Sequence, residues 1–465
     1  MSEAITQDSR EGGLEAPTRH AIPWQDPAWL DADAIDAELR RVFDICHGCR
    51  RCFNLCDTFP RLFELIDASK SGELESVNSE DFKPVTDACT LCDMCFMTKC
   101  PYVPPHEFNV DFPHLMLRVR AAEFARGERS LVDKQLAETD RNGRLAGKMH
   151  GLVNWATKEN NALTRPLMQA VTGIDRHAHV PRFEGKTLEQ QAAAAPDGRD
   201  AKAPAAARKA AIYATCFANF NDSAIGMASR GVLEKNGVQT RVEYPGCCGM
   251  PKLENGDMAG VAAAAQAVAA HFGPLIDEGY DVVALTPSCA LMLKSEWPLI
   301  LPDDAAVKKL AEATYDITEY VVDIARDEGL AQGLKPLEGG VAMHLSCHSR
   351  AQNMGAKGAE MLRLIPETPV TVIERCSGHG GKWGMMKKNF KTALKVGKPA
   401  ARAAAKAIDT GGAAYLVSEC PLAAAHLVQG MQRLENGKSK TPERAPHPIQ
   451  LMAKAYGLDP RTGDT

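Results

Sequence analysis

No apolar stretch of about 18 residues, the length that crosses a membrane as a helix, interrupts this 465-residue sequence. The most apolar run, Gly260 to Phe272, is short and carries Gln266 and His271. It reads as a buried helix. The opening residues, MSEAITQDSREGG, lack the apolar core of a secretion signal. The expectation is therefore a cytoplasmic protein in a reducing compartment. A net charge of −5 removes any general attraction for nucleic acid or an anionic surface. No G-x-G-x-x-G turn follows a strand at the required place, so no flavin or nicotinamide site is expected.

Cysteine is what the chain has in excess, with 15 residues. All fall into three groups: eight between 46 and 100, four between 216 and 289, three between 347 and 420. Without an export signal, disulfides are a poor fit and metal-bound thiolates a good one. None is left over as a stray core residue.

The first group is two runs. Cys46, Cys49, Cys52 and Cys56 read C-x2-C-x2-C-x3-C; Cys89, Cys92, Cys95 and Cys100 read C-x2-C-x2-C-x4-C, with Pro101 following. Three thiolates at x2 spacing can wrap one corner of an iron–sulfur cube, and in two-cluster proteins the fourth ligates the other cluster. Cys46, Cys49, Cys52 and Cys100 are therefore assigned to one [4Fe–4S] cluster, and Cys89, Cys92, Cys95 and Cys56 to a second. Zinc is the alternative, but a third cysteine at x2 in both runs has no use in a tetrahedral site.

Residues 1–32 read as a flexible tail and 33–112 as a mostly helical two-cluster ferredoxin-type domain. Residues 113–185 have apolar residues at helical spacing, a connecting region with core packing as the default and an amphipathic partner- or membrane-facing surface as the alternative. Residues 186–209 are Ala/Pro/charge-rich and read as a linker. From there short apolar strands alternate with helices: an α/β domain over 210–330, a second over 338–435, and a C-terminal tail over 436–465. The fold class expected is α+β multidomain, the helical module preceding duplicated, mostly parallel βαβ units.

The duplication rests on punctuation. Expected strands end at Cys216, at Pro245-Gly246-Cys247-Cys248-Gly249 and at Cys289, then again at Cys347, at Cys376-Ser377-Gly378 and at Cys420. The outer cysteines are 73 residues apart in each copy. Cysteines just past strand ends lie at the sheet edge where open α/β sheets bind ligands.

These residues resemble the iron–sulfur oxidoreductase family that joins two ferredoxin motifs to two cysteine-rich CCG domains. The family includes the B subunit of heterodisulfide reductase and the C subunit of anaerobic glycerol-3-phosphate dehydrogenase. The resemblance covers about 36–430. It implies a further iron–sulfur centre at Cys216, Cys247, Cys248 and Cys289. Both copies lack the second cysteine of the family's C-x-x-C ending, with Met292 and Ala423 in its place, and Ser377 stands where Cys248 stands in the first copy. The second copy thus keeps Cys347, Cys376 and Cys420. It is read as an open-iron cluster, as a zinc site completed by His344, His348 or His379, or as a vestigial copy.

The catalytic residue is left unknown, with His379, Cys376, Cys347 and Cys420 as candidates. The loop from Gly378 to Gly384 allows close backbone approach. Lys382, Lys387 and Lys388 read as a solvated helix start more than as an anion pocket. The function implied is one-electron relay between a flavoprotein dehydrogenase, or another redox protein, and quinone or another acceptor. The alternatives are heterodisulfide-type thiol–disulfide reduction at the CCG centre and soluble donation to a peroxide-reducing diiron protein. The expected place is the cytoplasm, with peripheral contact on the inner membrane face allowed.

Overall fold

The computed structural model describes residues 12–13, 15–434 and 440–458. They form two compact units, Met1–Arg129 with Glu254–Met258, and Ser130–Leu253 with Ala259–Thr465.

The first unit is helical: α1 (Ala32–Cys49), α2 (Thr58–Asp67), α3 (Lys83–Ala88), α4 (Met94–Thr98) and α5 (Phe112–Ala125). Asp31 caps α1, its carboxylate accepting from the Ala34 N–H at 2.8 Å. Ile35, Leu39, Val42 and Phe43, one helical face, are buried. Phe43 meets Phe82 edge-to-face and stacks on Phe112. The helix stops at Cys49 because Arg50 takes the left-handed conformation, φ 52°. The described part of the expected tail is tied down. Arg19 reaches Asp93 at 2.8 Å and Asp111 at 3.0 Å and lies over the Phe96 ring. The rest of that expectation, 1–11 and 14, lies outside the described residues.

The second unit opens with short helices, α6 (Leu131–Ala137), α7 (Thr139–Lys148), α8 (His150–Thr157), α9 (Thr164–Thr172) and α10 (Leu188–Ala194). The last of these sits inside the segment expected to be a linker. Leu188 is buried against Gly226, where a Cβ would come within 2.0 Å of it. The segment is packed because this glycine leaves room for a leucine.

The first sheet follows: β1 (Lys209–Tyr213), α11 (Cys216–Phe220), α12 (Ser223–Lys235), β2 (Gln239–Glu243), α13 (Met250–Asn255), α14 (Met258–Asp277), β3 (Asp281–Ala284), α15 (Pro287–Leu291), α16 (Trp297–Ile300), α17 (Ala305–Glu312), β4 (Thr314–Asp316) and α18 (Ile317–Asp327). Its order is β2-β1-β3-β4, all parallel, with Ile212 opposite both Val242 and Val283. Parallel strands buried on both faces read as continuous apolar runs; Ala210 to Tyr213 have no exposed surface. The added β4, three residues long, was not foreseen from the sequence.

Helix α14 extends that run to 20 residues and, by length and composition alone, is long and apolar enough to cross a membrane, which the sequence reading did not expect. Here Val261, Ala265, Val268 and Phe272 are buried, and Phe272 meets Tyr213 of β1 edge-to-face.

The second sheet repeats the plan: β5 (Val341–His344), α19 (Cys347–Ala351), α20 (Lys357–Arg363), β6 (Val370–Ile373), α21 (Phe390–Asp409), β7 (Tyr415–Ser418) and α22 (Pro421–Gln432). Its order is β6-β5-β7, again parallel. Small alanines of α21 let it lie close on the sheet, with Ala400, Ala401 and Ala404 buried beside Ala342 and Leu416. The expected C-terminal tail contains α23 (Pro448–Ala455), whose Ile449, Met452 and Ala453 are fully buried. Residues 435–439 and 459–465 lie outside the described set.

Candidate metal centres

In the first unit the thiols of the two runs lie among one another. Cys46 is crowded by Cys100, Cys52 and Cys49. Cys95 is crowded by Cys92, Cys89, Cys52 and Cys56. Burial and then these neighbours push the Cys46 and Cys95 thiols well above the ordinary value, and Cys52 up to about 12. Such a set cannot ionise together unless a bound cation compensates the charge. Among the described residues no three His, Cys, Asp or Glu side chains converge closely enough for one metal ion. The donor chemistry, eight soft thiols in one unit, fits iron–sulfur ligation. Arg120 also bears on this site: its guanidinium lowers the Cys89 thiol against the effect of burial and donates to the Cys89 carbonyl.

In the second unit every cysteine lies just past the C-terminal end of a parallel strand. Cys216 opens α11 after β1, Cys247 and Cys248 follow β2, and Cys289 sits in α15 after β3. The Sγ atoms of Cys216 and Cys247 are 3.8 Å apart. Cys248 neighbours Cys247 and Cys289, which closes the set of four. Hydrogen bonding with Cys216 and then Cys248 holds the Cys247 thiol well below its ordinary value. The Gly249 N–H also points at its sulfur, at 3.5 Å.

Asp140, on α7, braces this loop. Its carboxylate accepts from the Cys247 N–H at 3.1 Å and from the Tyr244 hydroxyl. Thr139 sits beside Cys216 and Cys247. Tyr213 donates to the Gly246 carbonyl at 2.6 Å, and Trp297 to the Cys248 carbonyl at 3.2 Å. Sequence spacing gave no sign of Asp140, which lies more than 100 residues from Cys247.

The second copy repeats the placement of three of these thiols. Cys347 opens α19, Cys376 follows β6 and Cys420 caps α22. The Gly378 N–H points at the Cys376 sulfur at 3.3 Å, as Gly249 does at Cys247. Burial, then Cys376 and Cys420, raise the Cys347 thiol. Ser377, in the place of Cys248, is buried and accepts from the His379 N–H at 3.4 Å.

The two cysteine edges face each other. The Ser288 hydroxyl and His348 Nδ1 are 2.7 Å apart, and the Cys420 thiol, raised first by burial, is raised also by Glu419 and by Cys289 of the first copy. His344 spends both nitrogens inside the layer, on Ser418 Oγ at 2.9 Å and the Arg375 carbonyl at 3.0 Å.

Cysteine-rich CCG domain profiles match residues 210–294 and 341–427. The C subunit of anaerobic glycerol-3-phosphate dehydrogenase from Escherichia coli (strain K12) is 28% identical over 332 residues, 70% of this chain and 77% of that one. Lactate utilization protein A of Geobacillus kaustophilus is 31% identical over 190 residues, 38% of this chain and 74% of that one. The protein of that name from Bacillus cytotoxicus is 29% identical over 189 residues, 38% and 74%. The chain belongs to the CCG cysteine-rich family. It is an iron–sulfur, oxidoreductase-related member with two CCG copies. The matched ranges contain all seven cysteines of the second unit.

Two features of this CCG protein lie beside the second copy. Glu419, adjacent to Cys420, is fully buried; burial lifts its carboxyl to about 7, and the Ser346 N–H donates to it at 3.1 Å. His379 and His426 face each other in a small cavity lined also by His179, Phe390 and Leu422, their ring centroids 5.9 Å apart. Burial holds His379 down to about 3 and His426 to about 4, so both imidazoles are neutral near pH 7. The Nε2 atom of each is buried without a hydrogen-bond partner.

Proposed function

We propose that this CCG protein is the electron-relay subunit of an iron–sulfur oxidoreductase. Cys46, Cys49, Cys52 and Cys100 would hold one [4Fe–4S] cluster, and Cys89, Cys92, Cys95 and Cys56 a second. Cys216, Cys247, Cys248 and Cys289 would hold an iron–sulfur centre in the first CCG copy. Cys347, Cys376 and Cys420 would hold a three-thiolate centre in the second. Such clusters supply one-electron exchange over a wide potential range when bound.

The chain's own residues do the rest. Strand ends and helix starts fix the thiols, Gly249 and Gly378 direct N–H groups at the sulfurs, and Asp140 holds the Cys247 loop. Ser288 and His348 tie the two cysteine edges together. The observation that carries the reading is this clustering of the thiols, with Cys289 and Cys420 neighbours across the two copies.

The partner is read as a flavoprotein dehydrogenase or another redox protein, and the acceptor as quinone. The protein works in the cytoplasm with a peripheral contact on the membrane's inner face. A disulfide-reductase role asks for a fifth thiol that neither copy has.

The test is iron, acid-labile sulfide and zinc per chain after anaerobic purification, with electron paramagnetic resonance on Cys248→Ser and Cys376→Ser variants. Four iron–sulfur signals, with one lost in each variant, support the reading. Stoichiometric zinc with little iron overturns it.

A further inference from the structure

Ten large apolar side chains stand out as exposed among the described residues, and eight of them lie between Leu131 and Val171. Soluble proteins rarely gather exposed apolar groups in one place unless the surface has an occupant. Leu145, Met149, Leu152 and Trp155 follow at helical spacing from the end of α7 through α8. Leu163, Leu167 and Val171 do the same along α9. Their exposure runs from 53% at Trp155 to 80% at Leu163.

The charge on the same segment is of one sign. Between residues 141 and 176 every exposed charged residue is a cation: Arg141, Arg144, Lys148, Lys158 and Arg176. The acids there, Glu159 and Asp175, are half-buried. Glu159 accepts from Gln429 of α22, and Asp175 from the His177 N–H at 2.8 Å. This stretch is basic within a chain of net charge −5.

The segment is also built to stay in place. Arg165 is buried and donates to the carbonyls of Arg176 at 2.8 Å, Asp175 at 3.0 Å and Thr157 at 3.2 Å. Ile174 pairs with Met386, and the Lys387 N–H donates to the Gly173 carbonyl at 2.8 Å. The apolar stripe is thus held rigidly, and its end is hydrogen-bonded to the loop that follows Cys376.

We infer that α7–α9 form a membrane-docking surface that lies on an anionic bilayer, with Trp155 and the leucines among the acyl chains and the lysines and arginines at the headgroups. Leucine, methionine and tryptophan alternating with cations is the pattern of interfacial helices. The cores of protein interfaces, by contrast, are depleted of lysine. The inference deepens the peripheral location in the proposed function and rests on that reading only for which membrane face is met; vesicle binding itself does not require loaded clusters.

The experiment is flotation of the full-length, anaerobically purified chain with vesicles of phosphatidylglycerol and phosphatidylcholine, or of phosphatidylcholine alone. The protein is expected to float with the anionic vesicles and to be released by salt. Trp155→Asp with Leu167→Asp should lower the bound fraction at least about tenfold, since both side chains then carry charge into the interface. Lys148→Glu with Lys158→Glu should abolish the preference for anionic vesicles. All four side chains are exposed, so the fold is retained, and circular dichroism checks it. Iron and sulfide assayed on the same fractions report the relay reading separately. A wild-type chain that floats with neither vesicle overturns the inference. So do variants that float like wild type, or a dimer broken by Trp155→Asp in a protein that binds no vesicle.

Discussion

Acidification from pH 7 to pH 5 should loosen the C-terminal helix of the CCG unit, and His447 is the reason. Its imidazole caps α23, accepting from the Ile449 N–H at 3.2 Å, while Gln450 reaches back to the His447 N–H at 2.8 Å. The capped nitrogen must be unprotonated to accept that bond. Burial alone lowers the group from 6.5 to about 3. The unfolded chain therefore binds a proton that the folded chain refuses between those two values, and stability falls as pH falls through that window. Worked between pH 7 and pH 5, one such histidine removes about 2 kcal/mol. His447→Asn keeps an acceptor and a good cap but cannot titrate. Hydrogen exchange of the α23 amides at the two pH values is the assay, since it reads local opening in a chain with more than one unit. Wild type should lose about 2 kcal/mol more protection than the variant on acidification. Equal losses would refute the argument, because they would place the cap's free energy elsewhere than in proton exclusion.

Two further substitutions test the centres. Gly378→Ala places a Cβ about 2.0 Å from the Ala393 carbonyl oxygen at a residue with φ +80°; it should cost at least about 2 kcal/mol in thermal unfolding and perturb the second copy's signal first. Asp140→Ala leaves the Tyr244 hydroxyl and the Cys247 N–H without their acceptor. It should cost about 1–3 kcal/mol and shift the spectrum of the first CCG centre while leaving the second unchanged.

The cysteine framework was legible because thiol spacing is a local signal and strand ends are punctuated by Pro, Gly and Cys. Five of the seven strands announced themselves as apolar runs and Gln239–Glu243 by the Pro-Gly-Cys-Cys-Gly that follows it; Thr314–Asp316 is three residues long and has neither signal. What escaped was structure made by distant partners. Arg19 looks like part of a polar tail, yet it grips Asp93 and Asp111. Leu188 looks like one residue of a loose Ala-rich segment, yet Gly226 makes a socket for it. Asp140 bears on Cys247 only because α7 packs beside α11. The C-terminal tail was misjudged although its His447-Pro448-Ile449-Gln450 start is a helix signal, since histidine is an uncommon cap.

The two CCG copies also differ in a way that bears on the proposed relay. In the first, Cys248 is buried, its carbonyl is held by Trp297, and the Cys247 loop is closed by Asp140. In the second, Cys376 is exposed, Ser377 replaces the buried thiol, and the loop continues through three left-handed glycines, Gly378, Gly380 and Gly381. A sealed centre exchanges electrons with little rearrangement because its surroundings are fixed. An open one lets an outside molecule approach, at the cost of a more variable environment. On the proposed reading the first copy is therefore the fixed store and the second the exchange end. The order is testable in one comparison: a bulky thiol reagent applied to the apo protein should reach Cys376 well before any cysteine of the first copy. Equal labelling of Cys247 and Cys376 would remove the distinction.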